Sequence, residues 1–224
     1  MCTNISPTLE IKNGILVIPK GKSFDEPINL ELKEDKLKVK VESGAIAEVI
    51  CNIKSKECEI EVEVEGEAKI HWKNISSGDT ANHSVVSHIS GDNSESNIDW
   101  IFHAKDSSKY NFYAKNIFDS KNCSGNIKVR GVSEDSSYAK FDGMIEVTEK
   151  GSGTQAYLSL DSFMLDPTAK IDAVPALEIR NDNVRASHSA SVTNINKEDL
   201  FYFASRGVDE EEAKKNIVEG FLVY

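Results

Sequence analysis

The chain has 224 residues, with 26 lysines and arginines against 37 aspartates and glutamates, so its formal net charge is −11. Hydrophobic residues at 39% and charged residues at 28% suit one globular domain and exclude a disordered chain, while the acidic excess excludes a phosphate-backbone binder and hence a nucleic-acid partner. No apolar run approaches the ~18 residues of a membrane span, and Met1-Cys2-Thr3-Asn4 carries neither a basic n-region nor an apolar h-region, so a cytoplasmic protein with no membrane partner is predicted.

The first 190 residues predict strand after strand. Ile15 to Ile18 stops at the turn Pro19-Lys20-Gly21, Leu37 to Val41 alternates strictly, and Ala45 to Ile50 follows Ser43-Gly44. Glu59 to Glu65 is the clearest period-two segment, with Ile60, Val62 and Val64 on one face and glutamates on the other. Further strands are predicted at Ala68–Trp72, Val85–Ile89, Ile98–His103, Tyr110–Ile117, Asn126–Val132, Met144–Val147, Thr154–Leu160 and Ala176–Arg180. Breakers separate them, among them Ser76-Ser77-Gly78, Gly91-Asp92-Asn93 and Gly151-Ser152-Gly153. Such a run fits a large sandwich, a barrel or a β-solenoid, and no fixed-length repeat selects among them.

After about residue 194 the pattern turns helical. Asn196 suits an N-cap, Glu198 and Asp199 suit the first turn, and Ile195 and Leu200 stand as a hydrophobic staple. This helix is expected to end at Gly207. Asp209 then caps a second helix with Glu212 at its N3 position, and Ala213, Ile217 and Phe221 form an apolar stripe. The terminal Phe221-Leu222-Val223-Tyr224 must pack on the β-domain or on a partner. The expected division is a β-core over residues 1–193 and a helical segment over 194–224.

Candidate chemistry is sparse. Cys2, Cys51, Cys58 and Cys123 form no CxxC pair and are read as plain thiols, with Cys51 buried; a Cys51–Cys58 disulfide is possible on spacing alone. His71, His83, His88 and His103 lack zinc-ligand spacing and are expected to be solvent-facing or hydrogen-bonded strand residues. The glutamates 59, 61, 63 and 65 are read as the wet side of a strand that also discourages edge aggregation. No GxSxG, HExxH, Walker or dinucleotide motif is present, so no enzyme is predicted. A carbohydrate-active β-helix enzyme would need a secretory signal, which the N-terminus does not show. His188 lies in a stretch, Pro175 to Val192, that reads as strand, Asn-Asp-Asn turn, strand. It delivers Glu178 and His188 to the last β-segments, where a neutral imidazole is a good metal ligand and a nearby carboxylate could orient it or itself ligate.

That stretch and its sequel resemble the SufB/SufD family of iron–sulfur cluster assembly scaffold proteins. Pro175, Leu177-Glu178-Ile179, Asn181-Asp182-Asn183-Val184, Ser187-His188, Ala190 and Val192 match the family's PxLEI and SHGATV blocks. Leu200-Phe201-Tyr202, Ser205-Arg206-Gly207, Glu211, Ala213 and Gly220-Phe221-Leu222 match its C-terminal block, and Phe141-Asp142-Gly143 and Thr154-Gln155-Ala156-Tyr157 match upstream. The resemblance covers about residues 138–222. It implies a mainly β chain, a right-handed parallel β-helix (β-solenoid) with a short C-terminal two-helix segment. It also implies a dimer through the last strands, with a SufB-like subunit or with itself, and a SufC-like ABC ATPase docked on the helices. Leu200, Phe201, Tyr202, Arg206, Ile217 and Phe221 are the docking residues this suggests.

The same resemblance implies a nascent iron–sulfur cluster, transient and shared with the partner, held on this side by His188 with Glu178 as a further candidate. Ile179 stands where the SufB branch has its cysteine, which makes the chain SufD-like. Ala186 and Ser189 replace the Cys and Gly of the family's CSHG, and the family's QxNxxLLLS signature is altered over residues 158–166. Because strands begin near Ile15, the helical domain that precedes the strands in longer members is expected to be missing. The rival expectation is a degenerate, homodimeric paralogue that holds the ATPase without binding a cluster.

Overall fold

A computed structural model describes Leu9 and residues 11–76 and 78–222; Cys2, Ser77, Val223 and Tyr224 lie outside the described residues. Among the described residues the alternation of apolar and polar residues becomes fifteen strands. They are β1 Ile11–Lys12, β2 Ile15–Ile18, β3 Ile28–Leu32, β4 Lys36–Val41, β5 Ile46–Ile53, β6 Glu57–Val64, β7 Lys69–Ser76 and β8 Thr80–Ile89. Then come β9 Glu95–Ala104, β10 Lys109–Phe118, β11 Ser124–Ser133, β12 Tyr138–Val147, β13 Gln155–Met164, β14 Lys170–Ile179 and β15 Arg185–Asn194. Two helices, α1 Lys197–Ser205 and α2 Glu210–Leu222, close the chain.

Successive strands alternate between two sheets, one ordered β1-β2-β4-β6-β8-β10-β12-β14 and the other β15-β13-β11-β9-β7-β5-β3. Apart from the antiparallel β1–β2 pair, every pairing is parallel. That topology is a β-solenoid, in which each turn adds one strand to each sheet and closes the interior between them. The sequence shows no fixed repeat because the turn lengthens along the chain. Lys36 pairs with Glu59, 23 residues on; Ile60 with Val85, 25 on; Thr80 with Lys109, 29 on; Tyr138 with Lys170, 32 on.

Parallel register stacks like positions into columns, so the inward residues form continuous apolar rows. One row runs Ile18, Val41, Val64, Ile89, Phe118, Val147, Ile179. Another runs Ile28, Val49, Trp72, Ile98, Ile127, Leu158, His188. Corners are tight: the Gly44 amide donates to the Gly66 carbonyl at 2.9 Å, and a Cβ on Gly91 would lie 1.9 Å from the Gly66 nitrogen.

The glutamate row needs one correction. β6 is an interior strand with β4 and β8 on either side, so Glu59, Glu61, Glu63 and Glu65 guard no edge. They face the lysines of β4 instead, with Lys36–Glu59 at 2.8 Å and Lys40–Glu65 at 3.1 Å. Such surface and half-buried pairs contribute little each, but they relieve the like-charge repulsion that alternation creates.

The helices are capped as the sequence predicts. Asn196 Oδ1 accepts from the Glu198 amide at 3.0 Å, and Asp209 Oδ1 accepts from the Glu212 amide at 2.9 Å. At the end of α1 the Gly207 amide donates to the Ala204 carbonyl and the Val208 amide to the Phe203 carbonyl, a Schellman pair that uses Gly207 at φ +80°. α2 docks on the outer face of the odd-numbered sheet. Val218 packs with Val132 and Leu165, Phe221 meets the Phe163 ring at 5.7 Å, and Arg130 Nη1 donates to the Phe221 carbonyl at 3.2 Å.

Candidate functional site

The two ends of the coil differ. In the first turn Ile28, Leu30 and Leu32 are at most 2% exposed, with Leu9, Ile11 and Phe24 joining the core cluster. In the last turn the same inward positions are open, with Ile179 39% and Val192 41% exposed. Each fully buried aliphatic side chain stabilises by roughly 1.5–3 kcal/mol, so an end left this open forgoes several such contributions.

Among the described residues, one edge of each sheet at this end is unpaired: β14 bonds only β12 and β15 only β13. The Lys170 amide donates to the Ser137 carbonyl just before β12 and the Arg180 amide to the Val147 carbonyl at its end, so the odd-numbered backbone groups of β14 point to its free edge. Pro175 is one of these, and its missing N–H therefore removes no ladder bond. On β15 the Arg185 amide donates to the Thr154 carbonyl, which turns the backbone of His188 toward the free edge.

His188 crowns an apolar column, directly above Leu158, and is exposed because no further turn covers it. Among the described residues it makes no hydrogen bond or ion pair. Glu178 does not join it, contrary to the expectation of a nearby carboxylate. Leu177 and Ile179 belong to the inward columns, so alternation puts Glu178 on the outer face, in register with Glu146 and ion-paired to Arg180. Among the described residues no group of three or more His, Cys, Asp or Glu side chains could hold a metal. Cys51, Cys58 and Cys123 are buried in the coil and form no disulfide with one another; Cys51 and Cys58 lie in opposite sheets. The donor set at this end is a single imidazole.

The remaining histidines are accounted for locally. His71 Nε2 lies 2.6 Å from Asp99 Oδ2, and His103 Nε2 lies 3.1 Å from Glu134 Oε2. Burial and the neighbouring Lys105 ammonium hold His103 below its usual pKa. His88 is exposed on the outer face of β8, and His83 is buried and bonded at both ring nitrogens.

The docking residues divide. Phe221 is committed to the coil through Phe163 and Arg130, and Leu200 and Ile217 are half-buried. Phe201 is 75% and Tyr202 59% exposed, with the Arg206 guanidinium 5.3 Å above the Tyr202 ring. Two large aromatic side chains thus stand out from a short capped helix.

The chain is thus a parallel β-solenoid with one open end, an imidazole at that end and an aromatic-bearing helical arm. Residues 36–221 match the family described as SUF system FeS cluster assembly, SufBD core domain, and the chain belongs to that family. It is 35% identical over 109 residues to an iron–sulfur cluster assembly SufBD family protein of Staphylococcus saprophyticus, covering 49% of this chain and 23% of that one. It is 34% identical over 109 residues to the iron–sulfur cluster assembly protein SufB of Bacillus subtilis, again over 49% and 23%. The aligned stretch spans under a quarter of the length of these relatives. No helix among the described residues is long and apolar enough to cross a membrane.

Proposed function

We propose that the chain is a SufD-like scaffold subunit, not itself an enzyme, that works in the cytoplasm. Its open coil end pairs with a SufB-like subunit, and its helical arm carries a SufC-like ABC ATPase. In this reading the nascent cluster is cargo, and His188 supplies one donor to a cluster whose thiolate comes from the partner. Thiolates are the main ligands of such clusters, and a lone imidazole makes half a site that only a second subunit completes. The observation that carries the reading is the contrast between the closed first turn and the open last turn with its unbonded His188. ATP binding in the ATPase would then bias the seam between closed and open states through the arm.

The test is co-expression with the two partners, followed by anaerobic reconstitution. His188→Ala is expected to leave the complex intact on gel filtration and to lower cluster absorbance at least several-fold. Unchanged cluster absorbance would sink the role of His188. Failure to recover any complex from the wild-type chain would sink the scaffold reading itself. The single donor also favours a second reading, a homodimer that holds the ATPase and never binds a cluster. That reading expects a complex without iron absorbance.

A further inference from the structure

His83 lies inside the coil on the inward side of β8, only 2% exposed. Its Nε2 is 2.9 Å from the Ser55 carbonyl oxygen and its Nδ1 is 3.1 Å from Ser76 Oγ. The ends of this chain of bonds force its direction. A carbonyl only accepts, so Nε2 must carry the proton. An indole N–H only donates, and Trp100 Nε1 donates to Ser76 Oγ at 3.0 Å. Ser76 is left to give its own hydrogen to Nδ1. The neutral imidazole therefore satisfies every member, and a proton on Nδ1 would displace the serine hydrogen from its acceptor.

Among the described residues, the groups packed against the ring do little to offset a positive charge. The register neighbour on β6 is Cys58, whose thiol is pushed up to about 12 by burial and stays neutral. β10 presents the Phe112 ring at 5.7 Å, β7 presents Ser76 and β9 presents Trp100. Glu57 stands exposed at the start of β6 and is engaged by Asn82 Nδ2 at 2.6 Å. Burial lowers the His83 pKa, and the upward pull of the Ser55 carbonyl and Glu57 is smaller.

We propose that His83 is a single-proton latch on the middle of the coil, tying the entry to β6 and strands β7, β8 and β9 together while uncharged and loosening them when protonated. The unfolded chain takes up this proton near pH 6.5 and the folded chain only at lower pH. The contribution is thus complete above about pH 6.5 and is lost as pH falls toward the folded value.

The test compares urea unfolding of the full chain with that of His83→Gln, whose amide keeps a donor and an acceptor but does not titrate. Between pH 7.5 and pH 5 the unfolding constant of the wild type should rise relative to the variant, by up to about tenfold per pH unit below about 6.5. His103 titrates in both proteins and cancels. Parallel pH dependence in the two proteins would overturn the proposal. Should the variant fail to fold, ring nitrogen NMR and hydrogen exchange on the wild type decide. The expected result is an Nε2–H tautomer at pH 7.5, with β7 to β9 exchanging faster than β12 and β13 at pH 5.5 after correction for intrinsic rates. A ring that titrates near 6.5 without altered exchange overturns it as well.

Discussion

Gly91→Ala is expected to destabilise the coil by about 3 kcal/mol or more, an overpacking cost at the upper end because the obstacle is main chain. The added Cβ would lie 1.9 Å from the Gly66 nitrogen and 2.3 Å from its Cα. No rotamer change relieves such a clash, and the two corners must separate. That separation strains the bond across them, in which the Glu67 amide donates to the Asp92 carbonyl at 2.9 Å. Gly220→Ala is the control, since a Cβ there meets nothing within 4 Å and alanine in a helix is favoured by up to about 1 kcal/mol. Urea midpoints of the two variants should move in opposite directions. An unchanged midpoint for Gly91→Ala would mean that the corners are not in contact in solution.

If the helical arm carries the ATPase as proposed, the double substitution Phe201→Asp, Tyr202→Asp should weaken its binding at least 100-fold while leaving the unfolding midpoint within error. Exposed aromatic anchors of this kind commonly contribute about 2 kcal/mol or more each to an interface, and a carboxylate in an apolar pocket adds a desolvation cost. Neither ring joins the clusters that hold α2 on the coil, so folding should tolerate their loss. Phe221→Ala should do the reverse, loosening α2 from Phe163 and lowering stability before it affects the partner. Calorimetric titration of the ATPase into each variant separates the two. Full affinity of the double variant would move the docking surface elsewhere.

Much of this was legible in the residues themselves. The strict alternation of Glu59 to Glu65 declares β6, and Asn196, Gly207 and Asp209 declare the helix ends, because those signals are local. β3 and the first halves of β8, β12 and β14 lie outside the predicted strands; Thr80 to Ser84 and Tyr138 to Gly143 alternate polar residues with small or aromatic ones. The solenoid itself carried no periodic signature because its turn varies between 21 and 32 residues. Period-two counting could have separated Glu178 from His188: Leu177 and Ile179 must face inward together, and so must Ala186, His188 and Ala190. What counting could not show is that the last turn stays uncovered, because that depends on which element follows it in space.

The lengthening turn has a consequence for how such a body can change. Its strands grow from six residues in β4 to eight in β6 and ten from β8 onward, so the coil tapers and its broad cross-section falls at the open end. A tapered stack has no interchangeable tiers. Duplicating or deleting one tier would set a narrow layer on a wide one and expose a ledge of apolar side chains, so its size is held constant by shape rather than by caps alone.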